Sequence, residues 1–311
     1  MDSKYESITL RPNGNHTREI FRDRDLEKRS DRDVDDNLVE VTRNAYKGLP
    51  VLSEPRELTW AKIPRIGASY YHYKNPGKGV VVYVIDTGLD EDHAESEHAH
   101  IQDWVFTDPF PPDKGDDYHQ FYHGTSMVGK IAGERTGIAQ GAEIVVVPYT
   151  NGHGSSSSFG LLRSLIATYE HIHDHNSNRP CIINMSFGLR ALTGSVKDGF
   201  IADTIIEILG LISALGNTIQ VFSAGNGRGP FGRANWPVYA ATRRIVFNTV
   251  VAGGANLAGR NQFQYPHPNE PVPCFVYAPV EEIAVASPPN PQIKDPKKYY
   301  TTLTFGGTSI G

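Results

Sequence analysis

The chain has 311 residues, of which 39% are hydrophobic and 21% charged, a globular composition with room for one large domain or two ordinary ones. Its formal net charge of −5 offers no basic field to nucleic acid or to an anionic membrane, so neither partner is expected. Two cysteines, Cys181 and Cys274, exclude a disulfide-rich scaffold, no run reaches the ~18–20 apolar residues of a membrane span, and "MDSKYESITLRPNGNH" lacks the apolar centre of a signal peptide.

Residues 1–48 differ from the rest. "TREIFRDRDLEKRSDRDVDD" mixes charges of both signs with too few apolar residues to bury a core. A disordered or partly helical arm is the expected form, and a pro-segment remnant is the alternative. Residues 49–311 are expected to make one domain. "GVVVYVID" (79–86) is a continuous apolar run ending at an acid, as in a strand buried on both faces. Similar runs follow at 143–149, 181–187, 219–225 and 245–254, and Cys181 at the head of one reads as a buried thiol. Between them, 158–172 sets Leu161, Leu165, Ile166 and Tyr169 on one helical face, and 203–215 is similarly periodic. This alternation predicts an α/β fold with a mainly parallel central sheet and helices on both faces. Sites in such sheets gather beyond the C-terminal strand ends. Three runs end there in polar residues or glycines: Asp86-Thr87-Gly88, Asn184 to Gly188, and Ser223 to Asn226.

Taken singly, the candidate residues are ambiguous. Asp86 suits a turn or a helix N-cap as well as a site. His123, in "HGTSMVGKIAG", is one histidine among twelve. Asn226, in "SAGNG", suits an ordinary left-handed turn or an amide aimed at a developing oxyanion. Two serines follow Gly-Thr, at Ser126 and Ser309. Gly307 to Gly311 also spells G-x-S-x-G, the nucleophile elbow of α/β-hydrolases, but that fold places its acid and histidine after the serine. His171 and His175 in "HIHDH" stand at i, i+4 and invite a metal; a solvated helix end is the expected reading.

The order of the motifs is more specific than any of them. The strand-end Asp in "VYVIDTGLDEDHAE", then "HGTSMVGKIAG", "NMSFG", "SAGN", "APVEEIAVAS" and "GGTSIG" resemble the successive motifs of the subtilisin-like serine proteases, over roughly residues 50–311. The resemblance implies a three-layer α/β/α fold and a serine endopeptidase that acts on polypeptides as a monomer without an obligatory cofactor. Asp86, His123 and Ser309 would form the triad, in the Asp, His, Ser chain order of that family, and Asn226 would complete an oxyanion hole. Ser186, Phe187 and Gly188 would pair with extended substrate, with Gly154 on its other side. Ser126 would then help to start the helix behind His123. A peptide-binding chain without catalysis is the rival reading, and an esterase a more distant one.

The chain departs from the family pattern at several points. Tyr122 replaces the usual glycine before the histidine, Ser126 a common second histidine, and Ile310-Gly311 the usual Met-Ala. Glu95, in "HAE", stands where some members bind calcium; the remaining oxygen ligands are not readable, so calcium is allowed without support. Only two residues follow Ser309, whereas the family continues into a buried helix. The expectation is therefore a catalytic domain that stops just after its serine. The family is largely secreted or vacuolar, but this sequence leaves the compartment open.

Overall fold

The computed structural model describes residues 39–45, 49–53, 68–108, 111–117, 122–190, 196–226, 235–236, 238–255, 272–280, 283–288 and 300–303. In chain order the elements are β1 (Val39–Ala45), a helical turn at Pro50–Ser53, β2 (Ala68–Tyr73), β3 (Val81–Asp86), β4 (His100–Trp104) and α1 (His123–Ala132). There follow β5 (Glu143–Pro148), α2 (Ser158–His175), β6 (Cys181–Met185), β7 (Leu189–Arg190), α3 (Val196–Ala214) and β8 (Thr218–Ser223). Last come β9 (Asn235–Trp236), a 3₁₀ turn at Val238–Thr242, β10 (Thr249–Ala255), β11 (Phe275–Pro279), β12 (Ile283–Ala286) and β13 (Tyr300–Leu303).

Seven strands form one sheet in the order β11-β10-β8-β6-β3-β5-β4, and every pairing in it is parallel. The centre of this sheet follows from side-chain alternation along β3. Val82 and Val84 face one way and pack with Leu89, Met127, Val128 and Ala132, so α1 covers that side. Val81, Tyr83 and Ile85 face the other and pack with Leu161, Leu165, Ile172, Ile201 and Ile205 of α2 and α3. Each large side chain so buried contributes ~1.5–3 kcal/mol, and a strand flanked on both faces has no solvent face on which to place a polar residue. The result is a three-layer α/β/α domain with a parallel central sheet.

Local signals agree with this packing. Helix α2 begins where the Ser157 hydroxyl accepts a hydrogen bond from the Gly160 N–H at 2.9 Å. Its apolar stripe then meets the sheet, with Leu161, Leu165 and Ile172 fully buried and Ile166 and Tyr169 packed at the margin. Among the described residues no helix is long and apolar enough to cross a membrane.

The sequence reading missed the sheet's two edges. β4, "HIQDW", is mostly exposed and carries polar residues, so it offers no apolar run to read. β11 is only partly buried, for the same reason. Residues 39–45, assigned on composition to the charged arm, form β1, which pairs antiparallel with β2; cross-strand pairing supplies what local composition does not. Residues 1–38 lie outside the described residues.

The connectivity places a crevice at the centre of the sheet. β5 lies on one side of β3 and β6 on the other, and the chain crosses between them through α2. In open parallel sheets the C-terminal edge beside such a reversal is where ligands enter. Asp86 is the last residue of β3, at that edge.

Candidate active site

Asp86 is 1% exposed, and its Oδ1 lies 2.8 Å from Nδ1 of His123, the first residue of α1. The same oxygen accepts the Thr87 N–H at 2.8 Å. An ionised carboxylate can only accept, so Nδ1 carries the proton and Nε2 is left with its lone pair. His123 remains 30% exposed, which gives the ring a buried side held by the acid and an open side.

The arrangement begins with an unusual helix start. Tyr122 precedes α1 in the left-handed region, at φ 49° and ψ 50°, and makes no side-chain cap. The orphan N–H groups of the first turn are satisfied by residues remote in sequence instead. Gly124 N–H donates to Thr87 Oγ1 at 2.9 Å and Thr125 N–H to Asp117 Oδ2 at 2.9 Å. Asp117 also accepts from the Thr125 hydroxyl at 2.8 Å and, at Oδ1, from the Thr87 hydroxyl at 2.9 Å. A carboxylate here also complements the positive end of the helix dipole. Gly124 is demanded by contact, because a Cβ on it would lie 2.1 Å from the Gly88 carbonyl oxygen. Gly88 has φ +132°, a backbone state that side-chain-bearing residues rarely adopt.

Charge and burial compete across this cluster. Burial pulls the His123 pKa down, but the charge and hydrogen bond of Asp86, with the charge of Asp117 beyond it, prevail and hold it above its ordinary value. Burial pushes Asp117 up, against the pull of its threonine hydrogen bonds. The Tyr122 hydroxyl is pushed up to about 12 by burial and by the negative charges of Asp90, Asp117 and Asp116. Burial and the charge of Asp86 likewise raise Tyr149.

Among the other expected residues, Gly154, Ser186 to Gly188, and Asn226 follow the C-terminal ends of β5, β6 and β8. Pairing in β6 ends at Met185, which leaves Ser186, Phe187 and Gly188 outside the ladder. Ser186 donates to Asn184 Oδ1 at 3.0 Å, Phe187 stacks on Tyr149 with ring centroids 4.4 Å apart, and Gly188 is exposed. Gly154 lies in a turn at φ +69°, in which its N–H donates to the Asn151 carbonyl. Asn226 is exposed, three residues beyond the end of β8 and just past the positive-φ Gly225. Ser309 lies outside the described residues. Ser126 is buried in the first turn of α1, and its hydroxyl donates to the Ala286 carbonyl of β12 at 2.8 Å.

The side chains weighed as metal ligands have other partners in the structure. Both Glu95 oxygens accept hydrogen bonds, from Arg135 N–H, Thr136 N–H and the Thr136 hydroxyl, so this carboxylate staples a turn where a calcium ligand was allowed. Both His171 ring nitrogens are engaged, by the Tyr83 hydroxyl and by Asp103. Among the described residues no group of three or more His, Cys, Asp or Glu is arranged to hold a metal.

Sequence reasoning passed over Asp117 and Tyr149. Asp117 stands in a polar loop with nothing beside it to mark it, and only its contacts with Thr87 and Thr125 single it out. Tyr149 sits one residue beyond β5, and its backbone N–H donates to the Asp86 carbonyl at 3.0 Å.

Comparisons with known proteins agree with this architecture. The model of the subtilase family, Peptidase S8, matches residues 77–308. Subtilisin-like protease 1 of Trichophyton verrucosum is 30% identical over 158 residues, covering 50% of this chain and 38% of the relative. Subtilisin-like protease 6 of Trichophyton equinum is 27% identical over 248 residues, covering 78% of this chain and 50% of the relative. The chain thus matches half or less of the length of these curated relatives. Among solved structures, a cold-adapted subtilisin-like serine proteinase superposes with a TM-score of 0.58 at 22% identity, covering 86% of this chain and 80% of that one, a likeness of fold. With its family match extending over most of its length, the chain belongs to the subtilase family of serine peptidases.

Proposed function

We propose that the chain carries the catalytic site of a serine endopeptidase, with Asp86, His123 and Ser309 as its triad. The observation that carries this reading is the 2.8 Å bond between buried Asp86 and half-open His123 at the C-terminal edge of the central strand. Ser309 attacks the scissile carbonyl while Nε2 of His123 takes its proton and then delivers it to the leaving amine. Asp86 keeps the proton on Nδ1 and stabilises the imidazolium formed during the reaction. Asn226 and the Ser309 N–H donate to the oxyanion, where each donor acts most strongly because the charge develops out of water. Extended polypeptide adds as a strand along Ser186, Phe187 and Gly188, with Gly154 at the opposite rim. The backbone from Ser186 to Gly188, which joins no ladder among the described residues, supports that role. The test is turnover of a peptide library by the purified chain, with His123→Ala and Ser309→Ala as controls. Cleavage that persists in both variants would defeat the assignment.

A further inference from the structure

The buried carboxylate of Asp117 is bonded to the residues that follow Asp86 and His123. Thr87 comes directly after Asp86, and its hydroxyl donates to Asp117 Oδ1 while accepting the N–H of Gly124, directly after His123. Thr125, the next residue, gives both its N–H and its hydroxyl to Asp117 Oδ2, and its hydroxyl in turn accepts the Asp90 N–H at 3.0 Å. Asp117 and Thr87 are each 5% exposed and Thr125 is fully buried. Burying a carboxylate is costly unless donors surround it, and here three converge on its two oxygens.

We propose that Asp117 is a positioning residue for the Asp86–His123 pair: it clamps the end of β3 to the start of α1 and sets a second negative charge facing the imidazole. This rests on the catalytic reading of that pair. Two consequences follow from the geometry. Loss of the clamp lets the first turn of α1 move relative to β3, and the 2.8 Å bond by which Asp86 orients the imidazole and fixes its tautomer tolerates little displacement. Loss of the charge also makes the protonated ring less favourable. Asp86 also acts on this ring; Asp90 and Asp116 act on Tyr122, and Tyr149, raised by burial and by the charge of Asp86, stays a neutral phenol.

The test uses Asp117→Asn together with Thr87→Val and Thr87→Ser in the full chain. The His123 ring is titrated by ¹H–¹³C NMR, its signal assigned by loss in His123→Gln, and kcat and KM are measured on one peptide. Asp117→Asn is expected to lower the His123 titration midpoint and to reduce kcat by about 10- to 100-fold with little change in KM. Thr87→Val is expected to reproduce the loss of kcat, and Thr87→Ser, which keeps the hydroxyl, to restore it. An unmoved His123 midpoint, or equal kcat in Thr87→Val and Thr87→Ser, overturns the proposal. If Asp117→Asn does not fold, the Thr87 pair alone decides. If the unaltered chain cleaves no peptide, the catalytic reading fails, while the titration still reads whether Asp117 acts on His123.

Discussion

A Cβ on Gly124 would fall 2.1 Å from the carbonyl oxygen of Gly88, so the turn after β3 and the first turn of α1 meet backbone to backbone. That contact is what allows a side chain at the end of a strand and one at the start of a helix to share a 2.8 Å hydrogen bond. Replacing Gly124 with Ala must push the two segments apart. We predict a loss of about 1–3 kcal/mol, read as a lower urea midpoint at unchanged m-value, together with a fall in kcat larger than the unfolded fraction explains.

The pH dependence follows from the balance at His123. Burial lowers its pKa, and the negative charges of Asp86 and Asp117 more than offset this, so the net shift is upward from 6.5. The reaction needs Nε2 unprotonated, hence the acid limb of kcat/KM should have its midpoint above pH 6.5 and activity should fall as the pH drops through it. Asp86→Asn removes the dominant opposing charge and leaves burial, so the limb should move to lower pH while the plateau falls, by on the order of 10⁴-fold. A limb that moves to higher pH in Asp86→Asn would contradict the assignment.

The two halves of the candidate site were not equally legible in the sequence. β3 and β5 could be read because both faces of each are covered, and β6 and β8 because their apolar residues continue even where one face is partly open, and all four runs end where chemistry begins. The edges β4 and β11 could not, since half-exposed strands mix polar and apolar residues. Asp86 and His123 were found through motif order. Their distance was not, because it is set by Thr87, Gly88, Asp117 and Gly124 across segments that are far apart in the chain. Tyr122 illustrates the limit. A glycine, usual at this point in the family, would suit a left-handed backbone, and the structure has that backbone at φ 49° with a tyrosine on it. What accompanies the substitution is a phenol set near the charges of Asp90, Asp117 and Asp116, a placement no local pattern foretells.

Asn226 separates transition-state stabilisation from binding. If its amide meets only the developing oxyanion, Asn226→Ala should reduce kcat by about 10²- to 10³-fold with KM nearly unchanged. Steady-state kinetics on one peptide check this, and a proportional rise in KM would assign the side chain to substrate binding instead.

Ser126 joins α1 to the strand pair that precedes the last residues of the chain. Its hydroxyl donates to the Ala286 carbonyl on β12, and β12 pairs with β13 from Ile283–Leu303 to Ala286–Tyr300. Ser126→Ala leaves a buried carbonyl without this donor, at a cost of about 1–3 kcal/mol. We expect faster hydrogen exchange in β12 and β13 before any change in β3 or β5. A uniform acceleration across the sheet would show that the hydroxyl supports the whole domain rather than this pair.

The central claim is that Ser309 is activated by the Asp86–His123 pair. Treating the purified chain with a fluorophosphonate and locating the adduct by peptide mass spectrometry tests it most directly. The account predicts a single phosphonylated residue, Ser309, with labelling lost in His123→Ala and strongly slowed in Asp86→Asn. Label on another serine, or on Ser309 at an equal rate without His123, would contradict it.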